Sequence, residues 1–81
     1  MFIAVRGKES RMQEVHAYLY NGQDIVTEPV SGIYGTFVIV DAGPDAYRAN
    51  YVAGRLQSGM FGATVFDTLE EADAYVKAEM D

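Results

Sequence analysis

Hydrophobic residues recur along this chain in short runs separated by turn signals, a pattern typical of a small sheet with a few helices. Residues 2–5 form an apolar run that predicts a strand buried on both faces. Residues 36–41 are the most β-prone and most apolar segment and predict a central strand. Residues 25–30 predict a strand that Pro29 confines to an edge of the sheet. Residues 63–66 predict a further strand.

Two segments carry apolar residues at helical spacing. The first opens at Gly43-Pro44-Asp45, with a proline early in the helix where its missing N–H costs nothing, and ends at Gly59. Its predicted buried stripe is Ala49, Val52, Ala53 and Leu56.

The last helix, predicted over residues 68–80, is capped by Asp67 or Thr68. Glu70 and Glu71 fall in its first turn, where the helix dipole favours negative charge. Its predicted buried face is Leu69, Ala72, Val76 and Met80.

Residues 11–20 admit two interpretations. Ser10 to Gln13 fits a capping box, Met12 and Val15 begin a helical spacing, and Asn21-Gly22 supplies a left-handed stop, which together predict a helix. The same residues also alternate between apolar and polar, and Asn-Gly is a strong hairpin signal, which predicts paired strands over 13–20 and 23–28. The helix is favoured because the order of all the elements then matches one known fold plan.

The resulting order, β-α-β-β-α-β-α within a single domain of residues 1–81, predicts an α+β fold of the ferredoxin-like split βαβ type with an added C-terminal helix. That plan places the first and third strands in the centre of the sheet, and these are the two most apolar strands of the chain. The alternative is an antiparallel β-meander of four strands followed by α-β-α.

Charge and composition narrow the function classes. The chain has a net charge of −6 and no cysteine, which excludes disulfides and thiolate metal sites and favours a cytoplasmic location. Residues 1–20 carry a net charge of +1, whereas residues 67–81 carry −5. Free nucleic acid would be repelled by most of this surface, and a basic protein partner would be attracted. No apolar run is long enough to span a bilayer, so no membrane partner is expected.

Residues suited to ordinary enzyme chemistry are scarce. His16 is the single histidine, no nucleophile motif surrounds the serines, and the glycines do not form a phosphate-binding pattern. Asp41 and Asp45 flank a strand end and a helix start, where capping is the ordinary role of aspartate. The sequence therefore predicts no enzyme, no cofactor and no metal.

Six tyrosines are many for 81 residues, and tyrosine is enriched at interfaces. Tyr47 and Tyr51 lie four apart on a helical face distinct from the buried stripe, and we predict that they bind a partner. A second candidate binding surface is the acidic outer side of the last helix, which resembles a row of phosphates. Its residues are Glu70, Glu71, Asp73 and Glu79.

The length and element order resemble those of RNA-recognition-motif domains, and residues 32–38 are loosely similar to their third-strand motif. That resemblance implies a shared architecture. RNA binding is not expected, because extra residues interrupt the motif, Val40 stands near an expected stacking aromatic, and no basic stripe exists.

The predicted function is a small acidic protein-interaction module that regulates or inhibits a protein partner with a basic surface. Inhibitors of this kind occur in phages and mobile elements, where they act on host nucleic-acid-handling or defence complexes, in some cases by nucleic-acid mimicry. The alternatives are a ferredoxin-like sensor of a small ligand and, third, a cofactor-free enzyme using His16 or Asp41. Self-association as a homodimer is a separate expectation, because the second helix has apolar surface on two faces.

Overall fold

The computed structural model describes residues 1–80 and shows one antiparallel sheet of five strands with three helical segments. In chain order the elements are β1 (Phe2–Gly7), a 3-10 helix (Glu9–Tyr18), β2 (Asp24–Ile25), β3 (Val30–Gly32), β4 (Gly35–Asp41), α1 (Ala46–Ser58), β5 (Gly62–Phe66) and α2 (Leu69–Met80). The prediction of an α+β fold is confirmed.

Strand β1 lies in the centre of the sheet. It pairs with β4 on one side, where Ile3 faces Val40, and with β5 on the other, where Ala4 faces Thr64. On the outer side of β4 lie β2 and β3, which pair with the two ends of that strand. The two most apolar strands are therefore central and the segment containing Pro29 is at an edge, as the sequence predicted.

The predicted edge strand over residues 25–30 is interrupted in its middle, and this part of the prediction was wrong. The Val26 N–H donates to the Ile39 carbonyl at 2.8 Å, and the strand resumes only at Val30, opposite Phe37. Between them, Thr27 turns its hydroxyl toward β4 and accepts the Ile39 N–H at 2.8 Å. The residues around Pro29 can leave the sheet because a side chain replaces the missing backbone acceptor.

Residues 9–18 form a 3-10 helix, so the hairpin interpretation of this segment, and the meander built on it, were wrong. A 3-10 helix has three residues per turn, and the side chains that face the core, Met12, Val15 and Tyr18, recur at that spacing. His16 points away from the core and is exposed. The predicted capping box does not form, because the helix begins after Lys8 without a side-chain cap.

The sheet is covered on both faces. Side chains alternate along each strand, so Ile3 and Val5 point to one face and Ala4 to the other. The first face packs against the 3-10 helix and α1, whose buried residues are Ala49, Val52, Ala53 and Leu56, as predicted. The second face packs against α2 through Ala72 and Val76.

Helix α2 is capped by Thr68, one of the two caps that the sequence predicted. The Thr68 hydroxyl accepts the Glu71 N–H at 3.2 Å and donates to the Glu71 carboxylate at 3.1 Å. The predicted buried face is only partly correct. Leu69 is 41% exposed and Met80 is half-buried, because both lie at the ends of the helix, beyond the centre of its contact with the sheet.

Helix α1 ends in a Schellman motif whose left-handed residue is a methionine. The Met60 N–H donates to the Gln57 carbonyl and the Phe61 N–H to the Leu56 carbonyl, both at 3.0 Å. Gly59 was predicted to stop the helix, and it does form the cap, but its φ of −84° is ordinary. The left-handed φ of 74° belongs to Met60, a conformation that side-chain-bearing residues adopt at a cost.

Replacing Met60 with glycine is expected to raise the free energy of unfolding by about 0.5–1 kcal/mol. Relief of the left-handed conformation contributes about 1–2 kcal/mol, and the greater freedom of glycine in the unfolded chain removes about 0.5–1 kcal/mol of it. Little packing is lost, because Met60 is 85% exposed. Urea unfolding measures the change, and Met60→Ala is the matched control that retains the strain. Equal stability of the glycine and alanine variants would contradict this explanation.

Candidate functional site

The start of α1 is held by two aspartates that the sequence placed in turn and capping positions. Asp41 accepts the Gly43 N–H at 2.9 Å, and Asp45 caps the helix by accepting the Tyr47 N–H at 2.9 Å. Gly43 has a φ of 74°, which lets the chain reverse from β4 into the helix. These contacts fix the first turn of α1 and the direction in which Tyr47 leaves the helix.

Three tyrosines and an arginine meet beside this first turn. The rings of Tyr20 and Tyr51 pack edge to face, with centroids 5.5 Å apart. The Arg48 guanidinium lies 5.4 Å from the centre of the Tyr20 ring, within cation–π distance. Tyr47 completes the group, and together with Asp45 these side chains line an open groove of about 320 Å³. We call Tyr20, Tyr47, Arg48 and Tyr51 the tyrosine surface.

The exposure of this surface is not explained by packing of the core. Tyr47 is 81% exposed, and Tyr20 and Tyr51 are also exposed, although their rings contact each other. The opposite side of α1 carries the stripe that packs on the sheet, so the tyrosines are not required to complete the core. Tyrosine and arginine are the residue types that most often dominate binding energy at protein interfaces.

The sequence identified half of this surface. Tyr47 and Tyr51 are one helical turn apart, and the structure places them together as predicted. Tyr20 and Arg48 were missed. Tyr20 reaches the helix through a tertiary contact with Tyr51, for which the linear sequence contains no signal. Arg48 belongs to the surface because its guanidinium lies over the Tyr20 ring, so it could not be identified without Tyr20.

The predicted acidic surface on α2 is less uniform than its composition suggests. The Glu71 carboxylate accepts a hydrogen bond from the Thr68 hydroxyl at 3.1 Å. Asp73 pairs with Lys77 at 2.8 Å, and the hydrogen bond to this carboxylate raises the pKa of Lys77 above its ordinary value. Two of the four predicted acidic residues are therefore committed to contacts within the helix.

The other two acidic residues do not lie in one row. Glu70 and Glu79 are nine positions apart, which at 3.6 residues per turn puts them on roughly opposite sides of the helix and about 13 Å apart along its axis. Glu70 is exposed and Glu79 is half-buried. Helix α2 contributes negative charge to the surface, but its carboxylates are dispersed around the helix.

Two further features surround the sheet. His16 borders a second open groove, of about 480 Å³, which is lined by residues of the interrupted edge strand. Glu28 is among these residues, but Asp41 is not.

At the turn between β3 and β4, Ile33 and Tyr34 protrude with 75% and 61% exposure. The signal for this apolar tip in the sequence is two large apolar residues between Gly32 and Gly35, where polar residues are usual. It was missed as a candidate surface.

No known protein family, curated protein or solved structure shows significant similarity to this chain. Among residues 1–80, the helices are too short or too polar to cross a membrane, and histidine, aspartate and glutamate side chains do not gather in groups of three that could hold a metal ion.

Proposed function

We propose that this chain is a protein-binding domain that recognises a protein partner through the tyrosine surface of α1. The observation that carries this proposal is the side chain of Tyr47, which is 81% exposed beside a ring pair and an arginine stacked on one of the rings. The ring contact and the cation–π contact hold Tyr20, Arg48 and Tyr51 in place before binding. Preorganised side chains lose less conformational entropy when a partner arrives.

The partner has a basic surface. The net charge of −6 attracts such a protein over long distances and speeds its encounter, even where individual carboxylates are dispersed. Glu70, Glu71, Asp73 and Glu79 contribute to this attraction, and the tyrosine surface supplies the short-range contacts. In this division of roles the charge controls the association rate, and the aromatic contacts control the lifetime of the complex.

The biological role that fits such a domain is regulation or inhibition of the bound protein, without an enzymatic reaction of its own. An inhibitor of a host nucleic-acid-handling or defence complex, of the type found in phages, would use the same properties. Such targets carry basic grooves, to which an acidic domain is drawn in competition with nucleic acid. The absence of cysteine supports a cytoplasmic site of action.

The fold holds the tyrosine surface on a rigid framework. We propose that it is the ferredoxin-like split βαβ plan, with β2 and β3 together as the second strand. The strand order, the antiparallel pairing and the packing of the 3-10 helix and α1 on one face support this. Helix α2 is an addition that covers the face left open in the basic plan.

A second candidate function is binding of a small ligand in the groove of the tyrosine surface. Its volume of about 320 Å³ is at the lower end for ligand pockets. The groove is open to solvent, however, and pockets for small molecules normally bury most of the ligand. A thermal-shift screen with amino acids and nucleotides tests this candidate, since a ligand at 100 times its Kd stabilises by about 2.7 kcal/mol.

The protein-binding proposal predicts a selective loss of capture when the tyrosine surface is altered. The tagged chain is used to purify partners from a lysate of the organism that encodes it, followed by mass spectrometry. We expect a protein that the wild-type chain retains and that a Tyr47→Ser, Tyr51→Ser double variant loses. Each interface tyrosine at the centre of such a surface contributes about 2 kcal/mol or more, or about 30-fold in Kd.

The matched control is Tyr34→Ser, which removes another exposed tyrosine, at the turn between β3 and β4. This variant is expected to capture the same protein as the wild type. Identical capture by all three chains would refute the proposal, as would a captured protein that depends on Tyr34 alone.

A further inference from the structure

Strand β5 forms one edge of the sheet, and within residues 1–80 it pairs only with β1. The Ala63 carbonyl accepts a hydrogen bond from the Gln57 side chain at 3.1 Å, so it points to the open side of the strand and not toward β1. Because backbone direction alternates with a period of two, the N–H and C=O of Ala63 and Val65 both face outward. Apart from the Gln57 contact, this edge presents free backbone donors and acceptors.

The two edges of the sheet differ in their protection. The edge formed by β2 and β3 is interrupted, carries Pro29 without an N–H, and includes the charged Glu28. These are the devices that prevent a sheet edge from pairing with another chain. Strand β5, with the sequence Gly-Ala-Thr-Val-Phe, has no proline, no charged residue and an uninterrupted pairing to β1.

The uncharged edge of β5 is a place where two copies of this acidic chain can meet without repulsion between the paired residues. A chain with a net charge of −6 repels its own copies over most of its surface, so self-association requires a surface without charge. The five residues of β5 meet that condition, and exposed apolar side chains, Met60 and Leu69, flank the strand on either side in sequence. An uncharged edge of β-prone residues is self-complementary when two copies run antiparallel.

We propose that two copies of this chain pair through β5 in an antiparallel manner, forming a continuous sheet across a two-fold axis at Thr64. In this register Ala63 of one copy lies opposite Val65 of the other, and their outward N–H and C=O groups form four hydrogen bonds across the axis. The two Thr64 side chains lie opposite each other, a favourable cross-strand pair. Gln57 lies on the exposed side of α1 and releases the Ala63 carbonyl when the second copy binds.

This pairing is independent of the tyrosine surface, and one substitution separates the two. Thr64→Lys puts two like charges opposite each other at the two-fold axis, and the side chain is exposed in the monomer. Thr64→Ser is the matched control. Sedimentation velocity, run from about 1 µM to about 1 mM to cover weak interfaces of small area, is expected to show a dimer for the wild type and Thr64→Ser and a monomer for Thr64→Lys.

Hydrogen exchange of the unmodified chain supplies a second readout that does not depend on a variant. The amides of Ala63 and Val65 are expected to exchange more slowly as concentration rises, while amides on the β2 and β3 edge are unchanged. A monomer at every concentration would overturn the proposal, whether or not the edge accepts a foreign strand. A dimer that persists in Thr64→Lys but is lost in the Tyr47→Ser, Tyr51→Ser variant would overturn it too, and would assign self-association to the tyrosine surface.

Discussion

Replacing Phe37 with alanine is expected to lower the free energy of unfolding by about 3–5 kcal/mol. Phe37 is 1% exposed and lies between the sheet and α2, with its ring edge-on to Tyr75 at 6.4 Å. Among residues 1–80, the core on this face has five buried hydrophobic residues: Ala4, Phe37, Ile39, Ala72 and Val76. Phe37 is the largest of them, so its truncation removes the largest share of the apolar volume buried on this face.

Urea unfolding monitored by circular dichroism measures this effect, and Phe37→Leu is the matched control, expected to cost about 1.5 kcal/mol or less. A domain of this size has a total stability of about 4–12 kcal/mol, so Phe37→Ala removes a large share of it. A loss below about 1 kcal/mol would mean that α2 does not cover this face of the sheet in solution.

Replacing Gly59 with alanine is expected to lower the free energy of unfolding by about 1–3 kcal/mol. The reason is steric, because the φ of Gly59 is ordinary but an added Cβ would lie 2.5 Å from Cζ of Tyr18. Tyr18 packs edge-on to Phe61, with ring centroids 5.5 Å apart, and would have to leave that position. The 3-10 helix would lose the contact that Tyr18 makes with the end of α1.

Gly54 provides the control within the same helix. A Cβ added at Gly54 has no atom within 4 Å, so Gly54→Ala is expected to raise stability by up to about 1 kcal/mol through helix propensity. Thermal unfolding of both variants shows whether Gly59→Ala lowers and Gly54→Ala raises the stability of the chain. A Gly59→Ala variant as stable as Gly54→Ala would show that Tyr18 does not pack closely against α1.

The sequence predicted the central strands and α1 because their local patterns agree with their tertiary environments. Residues 37–40 are apolar without interruption, and β4 is buried on both faces. The stripe from Ala49 to Leu56 follows the helical period, and α1 has one buried side. Where local propensity and burial favour the same structure, the sequence pattern is sufficient to predict the element.

Prediction failed where a tertiary contact decides the local structure. Residues 9–18 adopt a three-residue period because Met12, Val15 and Tyr18 all meet the core, and the sequence also contains a competing α-helical spacing. The edge strand is interrupted because the hydroxyl of Thr27 replaces a backbone acceptor for Ile39. Neither the packing of the 3-10 helix on the core nor the hydrogen bond between Thr27 and Ile39 leaves a signal in the linear pattern.

In the candidate site too, the sequence shows some features, and others depend on tertiary contacts. The spacing of Tyr47 and Tyr51 was visible in the sequence, whereas the contribution of Tyr20 depends on how the chain returns beside α1. The acidity of α2 was visible as composition. The sequence did not show that Asp73 pairs with Lys77 and Glu71 with Thr68, and paired carboxylates are less available to a partner.

The affinity of the captured partner for two variants of this chain, measured by titration calorimetry, tests whether recognition lies in the tyrosine surface. Tyr47→Ser removes an exposed ring of the tyrosine surface, and Glu70→Gln, Glu79→Gln removes two charges from α2. We predict that Tyr47→Ser weakens binding by about 30-fold or more, while the α2 variant weakens it by less than about 5-fold. The reverse order would refute binding through the tyrosine surface and assign recognition to the acidic helix.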